Sequence, residues 1–119
     1  MPLFIITLLF TFIITRIYLW LFPYANINLG SYNIHHLYVG AVLLILAVIL
    51  MIGGINKSIV VVLAGIRSAL ILDQLVFLTA TDGGDLTYLG KTSLWGGIIA
   101  VLIVAVLAPG VYWLKRKIK

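Results

Sequence analysis

Four apolar stretches, each near the 20 or so residues a helix needs to cross the hydrocarbon layer of a bilayer, leave this chain few ways to fold. They run roughly from Leu3 to Phe22, Leu37 to Ile55, Ser58 to Ala80 and Leu94 to Leu114. The chain has 119 residues, of which 64% are hydrophobic and 9% charged, too few charges to clothe a water-soluble core. Its length suits one domain, residues 1–119. The expected fold is an all-α membrane protein, a four-transmembrane-helix bundle. The first stretch lacks a basic leader and ends in Trp20-Leu21-Phe22-Pro23. It therefore reads as a retained helix and not as a cleaved signal.

The connections differ in character. Pro23 to His36, with its Pro, Gly and Asn residues, reads as a loop, and Gly53-Gly54-Ile55-Asn56-Lys57 as a tight turn between helices. Thr81 to Ser93 is a second polar loop, with Thr92 and Ser93 reading as the cap of the fourth helix. Pro109 falls inside that helix and is expected to kink it.

Orientation follows from the basic residues, which favour the cytoplasmic side. Lys57 lies in the tight turn and Lys115, Arg116, Lys117 and Lys119 in the tail, while the other two loops hold only Lys91. Both termini and the tight turn are expected in the cytoplasm of a multi-pass cell-membrane protein. Tyr18, Trp20, Phe22, Tyr24, Tyr38, Tyr88 and Trp95 would then form an outer aromatic belt, and Tyr112 and Trp113 an inner one. Small residues mark expected packing seams: Gly40, Ala47 and Gly54 on the second helix, Gly65 and Ala69 on the third, Gly96 and Ala100 on the fourth.

The net charge of +5 does not indicate a nucleic-acid partner. Four of the eight bases crowd into the last five residues, a cytoplasmic flank suited to anionic headgroups, and no basic groove interleaved with aromatics exists. Membrane lipids are the expected partners. The absence of cysteine excludes disulfides, thiolate metal sites and a cysteine nucleophile.

Charges inside hydrocarbon are costly and need a partner or a function. Arg16, Arg67 and Asp73 fall within the expected spans. At 1.5 Å per residue, Arg16 and Asp73 lie about 9 and 10 Å below the outer ends of their helices, with Arg67 near the midplane. His35, His36, Gln74, Asp82, Asp85 and Tyr88 share the outer half, and the inner half is nearly featureless. This asymmetry places a candidate ligand site of Arg16, His35, His36, Arg67, Asp73, Gln74, Asp85 and Tyr88 near the extracytoplasmic face. Asp73 is expected to pair with Arg16 or with a histidine. It lies about 120° around the helix from Arg67, which is expected to seek carbonyls, Gln74 or water instead. Such a pair has a plain structural reading too, since buried ion pairs often only fix helix register.

The adjacent histidines leave three readings open: interfacial capping, acid–base or ligand contact, and a metal site with Asp73. A metal pair on regular helix usually takes i and i+4 spacing, which His35 and His36 lack. Gly83-Gly84 has no following Lys-Ser/Thr to make a phosphate loop, and no serine occupies a nucleophile elbow.

Three segments carry a resemblance. His35-His36-Leu37-Tyr38-Val39-Gly40 resembles the His-His-x-x-x-Gly motif of a family of small prokaryotic integral membrane proteins of unknown function. Leu72-Asp73-Gln74 with Phe77 looks like that family's Leu-Asp-Glu-Phe motif, and Asp85-Leu86-Thr87-Tyr88 like its acidic Asp-Val-Tyr-Trp loop. The resemblance spans Ile34 to Ser93. It implies weight on His35, His36 and Asp73 but no activity, and Gln74 stands where the family has an acid.

Three functions fit these residues. The first is a binding or accessory protein holding a lipid headgroup, ion or partner in an outer polar pocket. The second is an enzyme acting on lipid or lipid-linked substrate, with His35 or His36 as base, Asp73 orienting it and Arg16 steadying an anion. The third is an ion or proton pathway built from Asp73 and Arg67, which would require a homo-oligomer. The sequence specifies no cofactor.

Overall fold

The computed structural model describes residues 1–25, 27–30, 32–81 and 84–118, with backbone alone at 27–29, 32, 33 and 85. In chain order the elements are α1 (Pro2–Leu21), β1 (Ile27–Leu29), β2 (Tyr32–Ile34), α2 (His36–Ile52), α3 (Lys57–Ala80), α4 (Asp85–Tyr88) and α5 (Lys91–Ile118). Among the described residues α1, α3 and α5 are long and apolar enough to cross a membrane, and α2 is a shorter apolar helix. The central member is α3, which packs against α1, α2 and α5, and α1 also touches α5.

Local chemistry explains the helix ends. Pro2 opens α1, where its missing N–H would have had no partner anyway. Asn56 caps α3, its side chain accepting from the Ser58 N–H at 2.9 Å. The second helix stops at Ile52, short of the expected Ile55. Gly54, at φ +70°, takes the left-handed position that ends the helix. The Ile55 N–H then bonds the Leu50 carbonyl at 3.0 Å and the Gly54 N–H that of Met51 at 3.2 Å.

Two further expectations are corrected. The connection after α1 contains a short antiparallel ribbon, with Ile27 opposite Ile34 and Leu29 opposite Tyr32. The last helix begins at Lys91, before the expected start at Leu94, so Ser93 lies inside it and does not cap it. Pro109 falls inside this helix, as expected, and the helix runs on to Ile118, because the proline removes one backbone donor without forbidding the helical φ.

Polarity is inverted relative to a water-soluble protein. Large apolar side chains face outward all along the helices, among them Ile6, Phe10, Ile52 and Val106, while Asp73 and Ser93 are 0% exposed and Gln74 3%. An apolar exterior of this extent suits hydrocarbon as solvent. In such a medium apolar contact alone drives little association, so close packing and polar bonds must hold the helices together.

Close packing is visible at three crossings. A Cβ on Gly65 would stand 1.9 Å from Thr7 Oγ1 and 3.0 Å from the Phe4 carbonyl, so α1 lies directly on the α3 backbone there. A Cβ on Gly40 would meet Ile71 at 2.9 Å and the Arg67 carbonyl at 3.0 Å, bringing α2 equally near. On α5 the buried line is Ser93, Gly97 and Val101, one residue over from the expected Gly96 and Ala100, although Gly96 does abut Val76. Gly54 belongs to the turn and has no neighbour for a Cβ within 4 Å, so the expected third member of the α2 seam drops out. Leu8, Phe12, Ala69 and Val101 form the apolar core beneath the polar cluster.

Candidate functional site

The site grows from the buried face of α3. Gly65, Ala69 and Asp73 succeed one another at intervals of four, so the face that admits α1 through small residues carries a carboxylate one turn further on. Asp73 is thereby placed inside the bundle, 0% exposed. A carboxylate there requires several donors, and three converge on it.

Arg16, on α1, donates from Nε to Asp73 Oδ1 at 2.5 Å. His36, the first residue of α2, places Nε2 2.7 Å from Asp73 Oδ2. Tyr88, the last residue of α4, donates its hydroxyl to the same oxygen. With Tyr88 also donating to Oδ2, the network assigns the hydrogen between His36 and Asp73 to the imidazole and leaves Nδ1 as the other ring nitrogen.

The guanidinium of Arg16 is satisfied at every corner. Its Nη1 donates to the Tyr88 carbonyl at 3.0 Å. Its Nη2 reaches the Ser93 carbonyl at 3.0 Å, Ser93 Oγ at 3.1 Å and the Asp73 carbonyl at 3.3 Å. Its plane also lies against the Tyr88 ring, 4.2 Å from Cζ to centroid, an attraction that grows where water is scarce. Gly97 leaves the room: a Cβ there would stand 3.1 Å from Nη2. One carboxylate thus joins α1, α2, α3 and α4 directly, and α5 through Ser93.

Aromatic edges close the cluster. Tyr88 meets Phe77 and His36 edge-on, at centroid distances of 5.2 and 5.7 Å. Burial first, and then the neighbouring Asp73 charge, push the Tyr88 phenol far above its ordinary value, against a smaller opposite pull from Arg16. Tyr88 therefore remains a hydrogen-bond donor.

The other expected site residues are distributed differently. Gln74 does not serve Arg67: its Oε1 accepts the Leu37 N–H at 3.0 Å, capping α2 from a neighbouring helix. His35 occupies the N-cap position of α2 without a side-chain cap bond, and its ring packs against Phe77 and Tyr38. Arg67 stands apart, with its buried Nε unpartnered among the described residues. Asp85 opens α4, but its side chain, like the whole of Asp82, lies outside the described residues. Among the described residues no group of three or more His, Asp or Glu side chains is gathered for a metal. For His35, His36 and Asp73 the geometry explains this, because the two imidazoles diverge and only His36 reaches the carboxylate.

Sequence reasoning missed Ser93, Gly97 and Phe12, whose ring lies 5.7 Å from Arg16 Cζ, as members of the cluster. The available signal was the four-residue spacing of Ser93 and Gly97, which sets both on one helix face.

No protein-family model, curated protein or solved structure matches the chain.

Proposed function

We propose that this is a multi-pass protein of the cell membrane, crossing it four times with both termini in the cytoplasm, and that its polar cluster is a binding centre at the extracytoplasmic end. The inverted polarity of the bundle supports the membrane reading. Its long dimension of 49 Å compares with about 40–45 Å for a bilayer with headgroups. The orientation rests on basic residues at one end: Lys57 starts α3, and Lys115, Arg116 and Lys117 finish the antiparallel α5.

One observation carries the binding reading: the Asp73 carboxylate is fully buried and already shared among Arg16, His36 and Tyr88. A group so committed holds helices in place and is poorly available to a reacting substrate. His36, with a side chain 18% exposed, is the more open partner in its pair with Asp73. Its second ring nitrogen is not used by Asp73, and Tyr18, Trp20, Tyr24 and Trp95 are exposed around the end of α1 and the start of α5. That setting suits the headgroup of an outer-leaflet lipid, with an ion or a partner's polar side chain as the other ligands of the same chemistry.

Native mass spectrometry of the protein released from phosphatidylglycerol nanodiscs tests this. Wild type should retain lipid, and His36→Gln, whose amide can still donate to Asp73, should lose it. Identical lipid retention by both proteins would sink the proposal.

A second reading is favoured by the 2.7 Å His36–Asp73 contact, which has the form of a general base held by a carboxylate. It requires turnover. Incubation with membrane lipids followed by mass analysis of products separates it from binding alone.

A further inference from the structure

Arg67 is the charged side chain that the cluster leaves over. It lies on the α3 face that meets α2: the Arg67 carbonyl borders Gly40, and Gln74, two turns on, reaches the start of α2 from the same face. Its Nε is shut inside the protein with no hydrogen-bond partner among the described residues. The residue as a whole is half-buried, so the guanidinium opens at the edge of the α2–α3 seam.

Among the described residues no carboxylate answers it. Of three acids, Asp73 is taken by Arg16, His36 and Tyr88. The α3 helix itself ends at Ala80, about 20 Å along its axis from Arg67, and Asp82 and Asp85 come later in the chain. A second copy inserted in the same sense would bring its acids to the same level and oppose Arg67 with another Arg67. Lipid phosphate is also distant, since Arg67 lies about 15 Å along α3 from Lys57, half the thickness of the hydrocarbon layer.

From this charge mismatch we infer that the α2–α3 face around Arg67 docks a different membrane protein, one whose crossing helix carries an Asp or Glu at mid-depth. The inference rests on the membrane-crossing part of the proposed function and is independent of what the Asp73 cluster binds. An arginine–carboxylate pair formed there would satisfy both charges in a medium that tolerates neither alone. It would select the partner by the position of one acid.

The probe is a set of labelled leucine-rich membrane-crossing peptides bearing a single central Glu, Gln or Leu. Their association with the intact protein is read by energy transfer in phosphatidylcholine vesicles. The Glu peptide should bind wild type about tenfold more tightly than the Leu peptide, the scale of one strong interhelical polar contact in lipid. Arg67→Leu should abolish that preference and leave the Leu peptide unchanged; if this variant does not fold, Arg67→Gln serves in its place. His36→Gln should keep the preference, so failure of the headgroup-binding proposal is distinguishable from failure here. Equal binding of the Glu and Leu peptides to wild type would overturn the inference. So would a Glu preference that survives in the Arg67 variants, or one erased by adding phosphatidylglycerol, which would assign Arg67 to lipid phosphate.

Discussion

Arg16 Nε and Asp73 Oδ1 stand 2.5 Å apart inside the bundle although 57 residues separate them in the chain. The same two side chains also reach α2, α4 and α5 through His36, Tyr88 and Ser93. The consequences can be measured on the intact protein in detergent or bilayer.

Removing only the anion should be severe. Asp73→Asn leaves the Arg16 guanidinium enclosed without its counter-charge, a change expected to cost about 3–5 kcal/mol. The double variant Arg16→Met/Asp73→Leu should recover part of that loss, because neither charge is then stranded although the Tyr88 hydroxyl loses its acceptor. Unfolding of the three proteins by denaturing detergent checks this, and an Asp73→Asn variant as stable as wild type would refute it.

Tyr88 makes an alkaline prediction. In the folded protein, burial and then the Asp73 charge hold its phenol protonated above its ordinary value of about 10. The unfolded chain releases that proton first, so the contribution is intact below about pH 10 and lost as pH rises above it. The stability difference between wild type and Tyr88→Phe should stay level up to that point and then move against wild type. A difference that stays flat across the alkaline range would mean that Tyr88 is not held this way.

The crossing of α1 over α3 should be sensitive to one methyl group. Gly65→Ala puts a carbon against Thr7 and the Phe4 carbonyl, with an expected loss of about 1–3 kcal/mol. Thr7→Gly removes the two closest of those atoms and should return part of the stability in the double variant. Equal stability of Gly65→Ala and wild type would show that the helices are free to separate at this point.

Gln74 gives a local readout. Replacing it with Leu deprives the Leu37 N–H of its acceptor, a loss comparable to that of an N-cap, about 1 kcal/mol. Hydrogen exchange at Leu37 should accelerate severalfold, with amides near Ala69 unaffected. Unchanged exchange at Leu37 would deny Gln74 this role.

Much of the fold was legible because hydrocarbon imposes a simple rule on helix length and composition, and the apolar stretches obey it. The helix termini were less legible. Ile52 ends α2 because Gly54 takes a left-handed conformation, and uninterrupted hydrophobicity up to Ile55 conceals that. The ribbon was there to be read: apolar and polar residues alternate on either side of Gly30-Ser31 in Ile27-Asn28-Leu29 and Tyr32-Asn33-Ile34, which is a hairpin pattern. The abundance of Asn and Gly masked it as loop.

At the candidate site, Arg16, His36, Asp73 and Tyr88 stood out in the sequence because charge and imidazole are conspicuous against leucine and isoleucine. Ser93 did not, since a serine near a helix start is ordinarily a cap. What no single segment reveals is division of labour. Gln74 and Asp73 are neighbours, yet one serves the α2 backbone and the other the central cluster, because consecutive helical residues point about 100° apart.

The span between Arg16 and its acceptors bears on biosynthesis. The oxygen atoms it requires belong to residues that the ribosome adds 57 to 77 positions later. During that interval the first segment carries a cation with nothing to neutralise it. Full satisfaction of the Arg16 guanidinium must therefore wait until Ser93 has been made, which makes assembly of this small protein a matter of timing as much as of affinity.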